Sequence, residues 1–107
     1  MSLFGFLKSA DINAGVEEFR RTSGAVLLDV RTIQEYRDGH IPGSKNVPLQ
    51  SLEKIEDEVK DLTSPVFVYC YSGGRSRQAV AILERMGYTN VKNIGGIADW
   101  RGEMKRG

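Results

Sequence analysis

A chain of 107 residues is long enough to bury one core of helices against a sheet and leaves no room for a second, so residues 1–107 read as a single domain. Fifteen Lys and Arg against 14 Asp and Glu give a formal net charge of +1; the signs are interleaved without a basic tract, which argues against nucleic acid and anionic membranes as partners. One cysteine and one histidine exclude a disulfide framework and argue against a metal site, and a lone thiol suits a reducing, cytoplasmic compartment. No cofactor is expected.

Met1-Ser2-Leu3-Phe4-Gly5-Phe6-Leu7-Lys8 is apolar, but it lacks a basic leader and is too short for a signal core or a membrane span, so it is expected to be an arm packed on the domain. Val16 and Phe19 mark a short first helix after Asp11-Ile12-Asn13, and residues 25–30 form a near-continuous apolar run of strand length ending in Asp29, Val30 and Arg31. Thr32 with Glu35 three residues on has capping-box spacing, and Gly39 closes that helix. A short strand is expected over residues 44–47. Leu52, Ile55, Val59 and Leu62 then share one face of a predicted helix, stopped by Ser64-Pro65. Residues 66–69 are β-branched and aromatic, bounded by Pro65 and by Gly73-Gly74, and predict a buried strand. Ala79, Val80, Ile82, Leu83 and Met86 keep helical spacing up to Gly87, and residues 91–94 give the last strand. Strands alternating with helices predict a parallel α/β sheet covered on both faces. Ligands of such sheets bind beyond the strands' carboxyl ends, where Cys70 stands.

The segment Cys70-Tyr71-Ser72-Gly73-Gly74-Arg75-Ser76 thus joins a strand end to a helix N-terminus. Unpaired N–H groups and the helix dipole there favour an anion over its neutral acid, and lower a cysteine's pKa from about 8.5 towards neutrality. Arg75 and Arg77 add positive charge. Two successive glycines permit the positive φ that turns N–H groups inward as an anion-binding nest. Tyr71 and Ser72 should line its mouth, Arg75 could fork onto the oxygens of an anionic substrate, and Ser76 is expected to cap or begin the helix with its N–H completing the nest.

These residues resemble a known family, the rhodanese-like sulfurtransferases in their single-domain form. The resemblance rests also on Leu27-Leu28-Asp29-Val30-Arg31 with Glu35-Tyr36, on Gly39-His40-Ile41-Pro42-Gly43-Ser44 leading to Asn46-Val47-Pro48-Leu49, and on Gly95-Gly96-Ile97-Ala98-Asp99-Trp100, in the family's order. It implies a central parallel sheet flanked by helices, and a Cys70 thiolate that takes a sulfane sulfur from thiosulfate or a similar small anion. The resulting persulfide would pass its sulfur to cyanide, a thiol or a sulfur-relay protein. Phosphatases and arsenate reductases of the same fold carry a loop one residue longer. Here four residues separate Cys70 from Arg75, which fits the shorter sulfurtransferase loop. A non-catalytic persulfide carrier or docking module needs the same cradle and stays open beside the enzyme.

Asp29 and Arg31 end a neighbouring strand, but the simpler reading is structural: Asp29 ties down backbone N–H groups and Arg31 pairs with Glu35 at i, i+4. His40, the only histidine, lies in a turn-rich segment that the resemblance assigns to shaping the fold, and sulfur transfer needs no general base. Tyr36 and Trp100 read as core aromatics.

Overall fold

The computed structural model describes residues 10–107; the expected arm over residues 1–8 lies outside them. Helix α1 (Ile12–Arg21) is capped by the Asp11 side chain, which accepts the N–H groups of Asn13 and Ala14. Strand β1 (Val26–Asp29), helix α2 (Ile33–Asp38) and strand β2 (Ser44–Asn46) follow, then a 3-10 segment (Leu49–Lys54) and helix α3 (Ile55–Glu58). Strand β3 (Val66–Cys70) leads to helix α4 (Gly74–Arg85), and strand β4 (Val91–Gly96) to a final 3-10 turn (Ile97–Asp99). The expected capping box is formed: Thr32 Oγ1 accepts the Glu35 N–H and Glu35 returns a bond to the Thr32 N–H.

Four parallel strands pair in the order β2-β1-β3-β4. Alternate residues of the central strands point to opposite faces, as strand geometry requires. On one face Leu28, Val66, Val68 and Cys70 pack with Leu52, Ile55, Val59, Ala79 and Leu83 from the 3-10 segment, α3 and α4. On the other, Leu27, Phe67, Tyr69 and Ile94 pack with Ile12 and Val16 of α1. Each fully buried Leu, Ile or Val contributes about 1.5–3 kcal/mol relative to exposure, so burial on both faces is what stabilises the four-strand sheet.

The predicted helix through Leu52 and Leu62 is the one element that differs. A 3-10 segment and a four-residue α-helix take its place, Val59 is extended (φ −133°, ψ 96°), and Leu62 is 44% exposed. Tyr88 donates its hydroxyl to the Val59 carbonyl at 2.6 Å, and Thr89 donates its N–H to the Leu62 carbonyl at 2.9 Å. Those tertiary bonds draw the chain out of the helix. Leu52, Ile55 and Val59 are nevertheless buried, because spacings of three and four keep them on one side in either helix type.

Candidate active site

Cys70 is the last residue of β3, level with Gly96 of β4, and it is 1% exposed. Its Sγ accepts the Gly73 N–H at 3.0 Å and lies 3.4 Å from Ser76 Oγ. Burial alone would push the thiol pKa up. Bonds that the thiolate can accept from the Ser76 hydroxyl and from the N–H groups of Ser76, Gly73 and Ser72 outweigh it and hold the pKa below the ordinary value. Cys70, Ser72, Gly73 and Ser76 are therefore brought together around one sulfur atom.

Gly73 is the N-cap of α4 and stands at φ 105°, a left-handed conformation that glycine adopts without strain. Gly74 is the first helical residue and has ordinary φ, so one of the two expected left-handed glycines is needed for the turn. Ser76 is not the cap: it lies in the first turn, with its Oγ 3.0 Å from the Gly73 carbonyl. Its N–H completes the nest as expected. Tyr71 is 54% exposed, while its carbonyl is fixed by the Ala98 N–H at 3.0 Å. Gly96 is where the last strand passes beneath the loop, since a Cβ there would run into the Tyr71 carbonyl and Ser72 Cα.

Arg75 is in the loop as expected, but it does not stand free. Its two Nη groups bond both oxygens of Glu35 at 2.7 and 3.0 Å. The guanidinium holds the Glu35 carboxyl down to about 2, well below the usual carboxylate range, even against partial burial. Glu35 had been expected to pair with Arg31. Arg31 instead closes on Asp29, donating from Nη2 to Oδ2 at 2.7 Å and from its backbone N–H to Oδ1 at 2.9 Å, while Nη2 also reaches the Gly39 carbonyl at 2.7 Å. That buried pair spends the Nε and Nη2 donors of Arg31 on Asp29 and Gly39. Arg77 lines a polar cavity of about 190 Å³ with Ser72, Gly73, Gly74 and Asn93. A wider opening of about 330 Å³ lies between Arg31, Glu35, Tyr71, Ile97 and Met104.

His40 is engaged by Tyr36 rather than by Cys70. Its ring stacks on Tyr36 with centroids 3.7 Å apart, Nδ1 sits 2.9 Å from the Tyr36 carbonyl, and its backbone bridges Lys105. Tyr36 donates to the Ser44 carbonyl at 2.6 Å and Trp100 packs at the edge of the α1-side core, so both are partly buried packing residues. Two residues of the site had no role there in the sequence reading. Glu35 was legible as a capping residue but not as the partner of Arg75. Asn93 on β4 bonds the Ser76 hydroxyl at 2.7 Å, and an isolated Asn in a short strand gives no signal for that.

A buried thiol held by backbone N–H groups at a strand end, inside a parallel sheet of this order, is the arrangement of the rhodanese-like domain, and the chain belongs to that family: the family model matches residues 14–103. Thiosulfate sulfurtransferase PspE of Escherichia coli is 44% identical over 73 residues, covering 67% of this chain and 70% of PspE. A thiosulfate sulfurtransferase GlpE from Ectopseudomonas mendocina is 38% identical across 76% of this chain and 74% of its own length. The putative sulfur carrier protein YrkF of Bacillus subtilis is 37% identical over 74% of this chain, which spans 43% of YrkF. Among solved structures, a rhodanese with anions from E. coli superposes with a TM-score of 0.72 at 39% identity, covering 78% of this chain and 99% of the other. Among the described residues no helix is long and apolar enough to cross a membrane.

Proposed function

We propose that the protein is a thiosulfate sulfurtransferase that works as a single domain through a Cys70 persulfide. The observation that carries the reading is the cradle itself, a sulfur at a helix N-terminus with an N–H at 3.0 Å and a hydroxyl at 3.4 Å. In the first half-reaction the Cys70 thiolate attacks the outer sulfur of thiosulfate; a new S–S bond forms, the old S–S bond breaks, and sulfite leaves with the electron pair. In the second, cyanide or a thiolate attacks the outer sulfur of the persulfide, and Cys70 departs as thiolate. The N–H groups of Ser72, Gly73 and Ser76 stabilise the anion at both stages, and Tyr71, Ser72 and Gly74 bound the space the donor must enter. A lone reduced cysteine fits cytoplasmic work.

A guanidinium has five N–H donors. Two of those on Arg75 bond Glu35, which leaves three for sulfonate oxygens. The carboxylate cancels much of the charge Arg75 would bring to the donor. That pairing favours a second reading, a persulfide carrier in a sulfur relay, and the likeness to a putative sulfur carrier supports it. Thiosulfate decides between them. Intact-protein mass spectrometry should show one added sulfur on Cys70 after incubation, with thiocyanate formed when cyanide is supplied. Loading by a persulfide donor but not by thiosulfate would establish the carrier. An adduct that persists in Cys70→Ser would remove the persulfide mechanism altogether, and Cys70-dependent hydrolysis of an aryl phosphate without thiocyanate would establish phosphatase chemistry instead.

A further inference from the structure

The Ser76 hydroxyl stands among more acceptors than it has protons. Its Oγ lies 2.7 Å from Asn93 Oδ1, 3.0 Å from the Gly73 carbonyl and 3.4 Å from Cys70 Sγ, and a serine has one proton to give. The orientation of the Asn93 amide is fixed from two sides. Oδ1 accepts the Gly95 N–H at 3.0 Å and Nδ2 faces the Gly73 carbonyl at 3.4 Å; a backbone N–H only donates and a carbonyl only accepts, so the flipped amide would lose both bonds. The register shift between Val68 and Tyr69 makes this reach possible, because it pairs Asn93 with Val68 and Gly95 with Tyr69, leaving Ile94 as an extra residue.

An amide oxygen carries no proton, so the 2.7 Å contact is made by the Ser76 hydroxyl donating to Asn93. The 3.4 Å contact to sulfur then has the thiol as donor and Ser76 Oγ as acceptor, which is the pattern of protonated Cys70. A thiolate requires the reverse, with the Ser76 proton directed at Sγ. We propose that Asn93 is a positioning residue of the reaction: it competes with Cys70 for the Ser76 proton, so that each passage between thiol and thiolate, with the thiol proton exchanged with solvent water, is coupled to a turn of the Ser76 hydroxyl between Asn93 Oδ1 and Sγ. The inference rests on Cys70 being the sulfur-carrying nucleophile.

The carboxylates on the surrounding elements do not compete for the Ser76 hydroxyl proton. Arg75 of α4 is bonded to Glu35 of α2, Asp29 and Arg31 at the end of β1 to each other, and Lys92 of β4 to Glu18 of α1. Arg77 of α4 lines the neighbouring cavity. Among the described residues Asn93 is thus the neutral side chain through which the sulfur's hydrogen-bond supply is contested.

The rate of alkylation of Cys70 by a small haloacetamide, followed against pH, tests this without any sulfur donor, so failure here is separate from failure of the sulfurtransferase reading. Asn93→Asp supplies a stronger acceptor for the same proton and should raise the thiol pKa by about one, slowing alkylation at neutral pH roughly tenfold with recovery at high pH. Asn93→Ala removes the competitor and should move the profile to lower pH. In a Ser76→Ala background, Asn93→Ala should leave the profile where Ser76→Ala alone puts it. Folded Asn93→Asp and Asn93→Ala proteins that titrate like the parent would overturn the proposal. So would an equal shift from Asn93→Ala with and without Ser76, which would assign Asn93 to loop geometry alone. The Asn93→Ala comparison decides by itself if the aspartate variant does not fold.

Discussion

Strands β1 and β3 reach the carboxyl edge of the sheet side by side, Asp29 level with Tyr69, and end in opposite electrostatic conditions. At the end of β1 the charges are closed. Asp29 and Arg31 neutralise each other in the interior, Arg31 Nη2 also donates to the Gly39 carbonyl, and Asn46 Nδ2 donates to the carbonyls of Asp29 and Arg31 at 3.0 and 2.9 Å. At the end of β3 no carboxylate pairs with a cation around the sulfur, and several N–H groups face it. The topological position offers both strand ends a ligand site; closure of charge makes one a structural knot, and its absence leaves the other a thiol whose pKa is held down by surrounding hydrogen-bond donors.

The largest effect that would break this contrast belongs to the knot. Asp29→Ala leaves Arg31 buried without its partner and should cost about 3–5 kcal/mol, read from the denaturant midpoint. An Asp29→Leu, Arg31→Met pair should cost clearly less than Asp29→Ala alone. A single-variant loss under about 1 kcal/mol would mean that the β1 end is no knot.

Next in size is Gly96→Ala, where the added methyl meets backbone of Tyr71 and Ser72. Overpacking of that kind costs about 1–3 kcal/mol, and here it should also displace the loop, so alkylation of Cys70 should move to higher pH along with the fall in melting temperature. Lost stability with an unmoved thiol profile would show that the loop is not set by its contact with β4.

The Glu35–Arg75 pair sharpens the comparison from the open side. Glu35 has its carboxyl lowered from 4.5 to about 2 in the folded protein, so its contribution is present above pH 4.5 and fades as the pH falls towards 2. Both side chains are about a third exposed, which limits the contribution to about 1 kcal/mol. Glu35→Gln should therefore flatten the acid limb of the stability curve in that window. Arg75→Ala should lower kcat/KM for thiosulfate more than for a persulfide donor without a sulfonate; equal losses would assign Arg75 to holding the loop. The smallest expected effect is that of His40→Asn, which should leave the Cys70 alkylation profile nearly unmoved. A clearly raised thiol pKa in a folded His40→Asn protein would bring the imidazole into the mechanism.

What could be read from the sequence was local. The cradle is contained within Cys70 to Ser76, and the apolar spacing of Ala79, Leu83 and Met86 announces its helix, so strand, turn and helix start were legible together. The capping box of α2 was legible for the same reason. Glu35 and Arg75 are 40 residues apart, and nothing in a chain pattern says which arginine a capping glutamate will meet. Asn93 needed the bulge in β4, which shows only as a register shift between strands. The segment around Leu52 misled because 3-10 and α geometry bury the same three apolar positions, and the bonds from Tyr88 and Thr89 that end it come from beyond β3.

Glu35 holds the Thr32 N–H at 3.0 Å, the Thr32 hydroxyl at 3.1 Å and the guanidinium of Arg75 at 2.7 Å, all through the same carboxylate. Its side-chain length is therefore set by two neighbours at once. Aspartate would keep the charge but fall one methylene short of spanning both, and glutamine would reach both while offering Arg75 a neutral oxygen. Position 35 is in this sense a hinge pin between a helix end and the loop after Cys70: sequence change there has to satisfy two parts of the molecule together, although one of them lies 40 residues away along the chain.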